Sequence, residues 1–427
     1  MVIAFGQHIP TPETPVQRAV LLTILPFFVW SCSASDRALG VNQLPPDPSA
    51  LTRVDLGTLG GASSYATAIN GTNVVVGWSE TGAGTVHGFR WTAGTGMLDL
   101  GALPGHQSSQ ALAILDARNP ADAEILGVSG DGTRWTPVIW SRSGSVKVLP
   151  VPSSPSPGFP TDINRRGDVV GWDAPGGFQH GWVWSATDGK YDLSANLQGG
   201  SSEGTASAIT SSGLVLLTVR TSGCARTQEC WRTFLWSKAT GYQSLGVPGA
   251  ATDANVTGLG VNEAGSVVGW TTIDAGSGIV PYRWTTGAGF SLLPQYGSGA
   301  QSYGYATAVN SAGTVVGAAL DPASGSIVAT AWPTSGGIVR LSAGDLNPSV
   351  AVAINSSGNI AGWAVVSSNA NHAVVWKSEA GGAHSLSASM LVPERSVSTS
   401  ARCLKSSRAL SSRQALFDCV GKSQLAP

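Results

Sequence analysis

Three histidines stand at the same place in a recurring phrase: His87-Gly88-Phe89, His180-Gly181-Trp182 and His372-Ala373-Val374. Imidazole binds transition metals and moves protons near neutral pH, so a metal centre is the first chemistry to weigh. If each histidine sits on the third strand of its own unit, with strands about 4.8 Å apart, the three are too far separated to share an ion at Zn–N distances of about 2.0 Å. Structural histidines are therefore expected, with no metal and no cofactor. Carboxylates offer a second chemistry, because glycan cleavage needs two of them about 5–10 Å apart. Asp162, Glu203 and Asp253 are the acidic candidates, with His106 as a further polar group and Tyr65 and Tyr303 as rings on which a sugar or peptide would stack. Acyl chemistry has no such support. The stretch GASSYA at 61–66 lacks the Gly-x-Ser-x-Gly elbow, and no glycine-rich stretch opens a helix to cradle phosphate.

What would position these residues is a repeat. ATAINGTNVVVGW at 66–78 returns as ATAVNSAGTVVG at 306–317, and the phrase aligns along the chain on Asn70, Asp116, Asn164, Thr210, Asn262, Asn310 and Asn355. The unit is about 48 residues and occurs seven times. A glycine follows the Asn by seven positions at Gly77, Gly171, Gly269, Gly317 and Gly362, with Leu217 in that place in the fourth unit. A tryptophan closes the third segment of every unit: Trp91, Trp140, Trp184, Trp236, Trp284, Trp332 and Trp376. Each unit reads as four strands. The first two are joined by a tight hairpin with Gly at 167, 213, 265, 313 and 358, and Asn73 in the first unit.

Four-stranded units of this length, seven in number, predict an all-β, seven-bladed β-propeller over residues 52–392. TRVDLGTL at 52–59 reads as a fourth strand placed ahead of the first unit, and AHSLSASM at 383–390 as another at the end. Closure of the last blade by the N-terminal strand would remove an exposed edge; a ring seats seven fourth strands, so one of the eight candidates is left over. The closing tryptophans are expected to pack between blades. The two hairpin turns of each unit fall on one face of the ring. The longer, variable connections, which carry the six candidate ligand-binding residues named above, fall on the other, where a rigid scaffold usually places recognition.

DLGTLGGASSYATAIN, followed by VVVGW and HGFRW, resembles the HAF family of extracellular repeat proteins across about residues 52–391, a family named for a His-Ala-Phe triplet in the third strand. The triplet pattern survives in three units and is lost in four. The resemblance implies export and a repeat architecture, and it implies no enzyme activity. SGDGTRW at 129–135 is similar to the Asp box of sialidase-type propellers, but Asp131 and Gly132 are adjacent and the spacing departs from that motif.

The N-terminus carries an address. Arg18 precedes AVLLTILPFFVW, twelve residues too few to span a bilayer but suited to a secretory signal. The VWSC ending resembles a lipoprotein box with Cys32 as the acylated residue, and cleavage after Ala34 by an ordinary signal peptidase is the alternative. Residues 1–34 are thus expected to be a signal sequence, 35–51 a linker, and 393–427 a basic Ser/Arg-rich tail, disordered or a short helix. Cys224 with Cys230 and Cys403 with Cys419 are expected as two local disulfides in an exported chain. Among 427 residues, 42% are hydrophobic and 15 are Trp, enough for a large core, while only 11% are charged and the net charge is −1. Nucleic acid is excluded as a partner by that balance, and a membrane is expected only through a lipid anchor. The functional expectation is a non-catalytic binding or scaffolding module at the cell surface, as an outer-membrane or periplasmic lipoprotein or an extracellular protein, whose partner is a glycan or a protein. The alternative is a glycan hydrolase or lyase working through carboxylates of the loop-rich face.

Overall fold

Seven four-stranded antiparallel sheets make up a computed structural model of the chain. It describes residues 51–378 apart from connection segments at 117–122, 142–143, 152–157, 175–176, 198–202, 223–228, 250–252, 273–277, 298–302, 342–347 and 367–369. Residues 1–50, with the expected signal sequence, Cys32 and the expected linker, and residues 379–427, with AHSLSASM and the Ser/Arg-rich tail, lie outside the described residues. The first blade is built from Gly60–Ile69, Val75–Thr81, Val86–Thr92 and Gly96–Asp99, paired in chain order from the centre outwards. The architecture is the expected seven-bladed β-propeller.

The repeated residues are there for packing reasons. The second strand is β-branched and covered on both faces, with Val75 and Val76 fully buried. Its recurrent glycine lies against the inner strand. A Cβ on Gly77 would stand 2.0 Å from the Tyr65 carbonyl oxygen, and the same clash recurs at Gly127, Gly171, Gly269, Gly317 and Gly362. The inner strand bulges at the same point in every blade, between Ala66 and Ala68 in the first. The extra residue there often carries a hydroxyl that reaches the next blade. Thr67 Oγ1 donates to Ala111 O at 2.9 Å, Thr161 Oγ1 to Ala206 O at 2.6 Å and Thr307 Oγ1 to Ala351 O at 2.9 Å. Asn73 turns the first hairpin with φ 64°, and Gly167, Gly213, Gly265, Gly313 and Gly358 do so in later blades.

The register corrects one sequence alignment. In the second blade Leu115, not Asp116, holds the place of Asn70: its N–H bonds to Glu124 O as that of Asn70 bonds to Val74 O, and its carbonyl receives the Asn70 side chain. The apolar run there hid the frame, because a longer hairpin follows and no Asn marks it.

The N-terminal strand closes the ring. Leu51–Asp55 pairs antiparallel with Asn371–Ser378 and is the fourth strand of blade seven, from Leu51 opposite Ser378 to Asp55 opposite Val374.

Candidate functional site: the loop-rich face and what the repeats leave for it

The turn face is stitched shut by the recurring Asn. The carboxamide oxygens of Asn70, Asn164, Asn262 and Asn355 each accept from two backbone N–H groups of their own hairpin, and that of Asn310 from Thr314 N; for Asn70 the donors are Thr72 at 3.1 Å and Val74 at 2.9 Å. Each Nδ2 then donates into the next blade. Asn70 reaches Leu115 O at 3.3 Å, Asn164 reaches Thr210 O at 3.2 Å, Asn262 reaches Asn310 O at 2.9 Å, and Asn310 reaches Asn355 O at 3.2 Å. Asn355 returns to Asn70 O at 3.0 Å and completes the circuit. The two blades without the Asn are bridged by other means. Arg165 in blade three donates to Asp116 Oδ2 in blade two at 3.1 Å, and Glu263 in blade five accepts from Ser211 N in blade four at 2.8 Å. All seven interfaces are bridged, and this chemistry is structural.

The three histidines are also absorbed by the fold. His87 Nδ1 lies 2.8 Å from Asp99 Oδ2, His180 Nδ1 lies 2.9 Å from Asp192 Oδ2, and His372 Nδ1 lies 2.9 Å from Asp55 Oδ1. Each pair joins a third strand to the fourth strand beside it. In the other four blades the histidine position holds Thr136, Arg232, Val280 or Val328, and the aspartate position holds Val148, Ser244, Leu292 or Arg340. Histidine and aspartate are present together or absent together, as a local pair requires. The pair in blade seven fastens the closing strand. A double-mutant cycle on His372→Ala and Asp55→Ala is expected to give a coupling of about 0.2–1 kcal/mol, the range for a partly exposed ion pair. Additive losses in urea melts would leave the pair without a fastening role.

The candidate ligand-binding residues are dispersed around the loop-rich face and differ in availability. Tyr65 is on the inner strand of blade one and is buried, stacked on Trp78 at 4.3 Å between ring centroids, with Trp363 at 5.6 Å. Its hydroxyl accepts from Asn371 Nδ2 at 2.6 Å, and burial raises its pKa. The Tyr65 ring is a core element, covered by the two indoles. Tyr303 is half-buried and meets Tyr305 edge-on at 6.4 Å, beside an apolar cluster that includes Leu259, Trp270, Val350 and Trp363. Asp162 lies on the inner strand of blade three, where its two oxygens accept from Ile163 N at 2.9 Å and from Ile209 N of blade four at 3.0 Å. Glu203 precedes the inner strand of blade four and pairs with Arg220 at 3.0 Å. Asp253 faces Arg232, whose pKa is lowered by burial while the aspartate opposes that shift. His106 is in the connection between blades one and two, its N–H bonded to Leu103 O, and it lies near Asp131. The Thr133 and Arg134 N–H groups and the Thr133 hydroxyl hold the Asp131 carboxyl at about 2. SGDGTRW is therefore a carboxylate-capped turn.

Sequence reading missed two kinds of residue on this face. Ser64 and Ser109 are fully buried. Ser64 Oγ donates to Gly57 O at 2.6 Å and accepts from Ala373 N at 2.8 Å, while Ser109 Oγ donates to Gly101 O at 2.6 Å and accepts from Gly88 N at 2.9 Å. The serine of GASSYA is thus a joint between blades. The other kind is exposed aromatic: Phe178 is 51% exposed in the connection of blade three, and Trp135 and Trp231 are half-buried near the starts of third strands. Phe178 has no aromatic counterpart in the other units, and Trp135 and Trp231 share one register position in blades two and four only, whereas the packing tryptophan recurs in all seven. Cys230 is buried on the third strand of blade four and is disulfide-bonded. Cys224, Cys403 and Cys419 lie outside the described residues. Among the described residues no group of three or more His, Cys, Asp or Glu could hold a metal ion.

No family model matches the chain, and no curated protein matches its sequence. Solved structures do resemble it. A puromycin-hydrolyzing peptidase of Mycobacterium tuberculosis superposes with a TM-score of 0.50 at 11% identity, covering 75% of this chain and 51% of that one. A streptogramin B lyase gives 0.46 at 12%, covering 77% and 98%, and TolB of Acinetobacter baumannii gives 0.39 at 13%, covering 76% and 65%. At these identities the likeness concerns the fold alone.

Proposed function

We propose that the chain is an exported, HAF-type repeat protein that acts as a non-catalytic binding or scaffolding module, held at the cell surface through Cys32 and presenting the loop-rich face to a glycan or protein. The observation that carries this reading is the contrast between the two faces. On the turn face, repeated side chains are spent on joining blades. On the loop-rich face the connections differ from blade to blade, and they carry unrepeated aromatics such as Phe178 together with ion pairs such as Glu203–Arg220 and Arg340–Asp321, the latter at 2.7 Å. A rigid ring with unlike loops suits recognition, because the scaffold fixes loop ends without constraining loop sequence. The His–Asp pairs support the family resemblance, since they give the family triplet a role in joining third and fourth strands. The test is a combined glycan and protein array probed with the full chain. Binding that is weakened by Phe178→Ala or Trp231→Ala is the expected result. Binding unaffected by every loop-face substitution but lost on changes to the turn face would overturn the reading.

A further inference from the structure

Three cross-blade bonds recur around the ring, and one seam has the residues for none of them. The bulge hydroxyl is the first: Thr67, Thr161 and Thr307 donate to the next blade, and Ser207 Oγ donates to Gly258 O at 3.2 Å. The Asn carboxamide is the second. The third runs from a third-strand N–H to a serine of the next blade: Gly88 to Ser109 Oγ at 2.9 Å, Ala329 to Ser349 Oγ at 3.0 Å and Ala373 to Ser64 Oγ at 2.8 Å. Between blades two and three the bulge residue is Leu112 and the Asn place is Leu115. The third-strand residue is Pro137, opposite Val128 as Gly88 is opposite Trp78. Gly158 stands before Phe159 where Ser109 stands before Gln110. Two leucines and a glycine bring no side-chain donor or acceptor, and a proline has no N–H. Each of the other six seams keeps at least one of the three bonds.

Among the described residues, blades two and three are held by apolar contact and one ion pair. Ala113 and Leu126 pack with Ile163, Val169 and Trp182, and such contact has no preferred direction. Asp116 accepts from Gly71 N of blade one at 2.6 Å and from Arg165 of blade three at 3.1 Å. The Arg165 side chain is 63% exposed and that of Asp116 48%, so salt screens the pair. Trp184 is half-buried in this seam, where Trp140 and Trp332 at the same register are buried in theirs. The two inner strands are also open ones. Gln110, Leu112 and Ile114 of blade two and Thr161 and Asp162 of blade three are half-buried, whereas the inner strands of blades four and six are buried throughout. We infer that the seam between blades two and three is a gate, where the ring parts locally without unfolding, with Asp116–Arg165 as its latch. Local opening of this kind is drawn from the least-bonded part of a fold. Parting exposes the inner-strand residues of both blades and changes the spacing of their connections on the loop-rich face.

Matched cysteines in the full chain test the gate. Ala113, Ala208, Ala308 and Ala353 each follow the bulge, are buried and face the next blade. Each is replaced by Cys in turn and pulse-labelled with N-ethylmaleimide in native buffer. Peptide mass reads the site, and each rate is divided by that of the same site in urea. Ala113→Cys should label about tenfold faster than the other three, since one ordinary hydrogen bond is worth up to about tenfold in an opening equilibrium. Added NaCl, or Arg165→Gln, should speed labelling at 113 alone. Leu112→Thr, which offers Pro160 O a hydroxyl as Thr161 does Ala206 O, should slow it. Ile163→Cys against Ile209→Cys repeats the comparison from the opposite wall and serves if the Ala113 variant does not fold. Equal rates at matched positions mean that the ring opens only by unfolding, and they overturn the gate. A fastest site in another seam overturns it too. So does labelling at 113 that responds neither to Leu112→Thr nor to salt, because the missing bonds and the latch would then not govern the opening.

Discussion

Replacing Trp140 with Ala should lower the stability of the ring by about 3–5 kcal/mol, the range for deleting a fully buried large aromatic. Trp140 has no exposed surface. It packs with Ala111, Ile125 and Val138 of its own blade and with Val76 of the blade before it, and its indole N–H donates to Leu100 O of that preceding blade at 2.9 Å. Truncation would leave a cavity across an interface and remove the donor to a part-buried carbonyl, and both losses add. Trp332 repeats the arrangement, donating to Pro294 O at 2.7 Å. Trp184, by contrast, is only half-buried, and Trp184→Ala should cost about half as much, in proportion to the apolar area it covers. Urea melts of the two variants read the difference directly. Equal losses would mean that the repeated tryptophan acts within its blade and not between blades.

Deleting residues 1–55 should be more damaging still, because it removes one strand of the structure and opens the ring. The third strand of blade seven would lose the register partners of Val374 to Ser378 and the contact of His372 with Asp55. It would also become an unpaired edge of a kind that invites association with another chain. Light scattering should show self-association, and calorimetry a broadened or absent cooperative transition. The complementary cut, ending the chain at Pro393, leaves every fourth-strand seat filled and should keep a monodisperse ring that melts cooperatively. A monomeric, cooperative Δ1–55 chain would show that another segment can take the closing seat, and AHSLSASM at 383–390 would be the one to test.

Most of this architecture was legible in the sequence because packing rules repeat with the blades. Asn70 and its counterparts, the glycine after them and the tryptophan closing the third strand all recur at fixed spacing, and the spacing alone gives seven four-stranded units. The frame failed where a repeat lost its marker. Leu115 took the Asn place and Asp116 drew the alignment one residue away, although that aspartate proved to be the substitute bridge to blade three. The loop-rich face was harder to read for the opposite reason. Tyr65 and Ser64 read in the sequence as part of a connection, where exposure is the ordinary expectation, yet they lie on the inner strand Gly60–Ile69 and their side chains turn into the seam with blade seven. Whether such a residue faces solvent or a seam depends on contacts made by a neighbouring blade, here 306 and 309 positions away in the chain, and no local pattern encodes that.

The closed circuit of Asn bonds has a kinetic side. Four of its five Asn links join residues 45 to 48 positions apart, whereas the bond from Asn355 to Asn70 spans 285, and that from His372 to Asp55 spans 317. Each earlier seam can form as soon as the next blade exists, while the last must gather the two ends of the whole array. Closing so long a loop costs only about 2 kcal/mol more than closing one repeat, since the entropy grows with the logarithm of length. The order of events is nevertheless fixed. The first strand of the ring to be synthesised is the last to find its partner, and until blade seven is made its free edge has nowhere native to go.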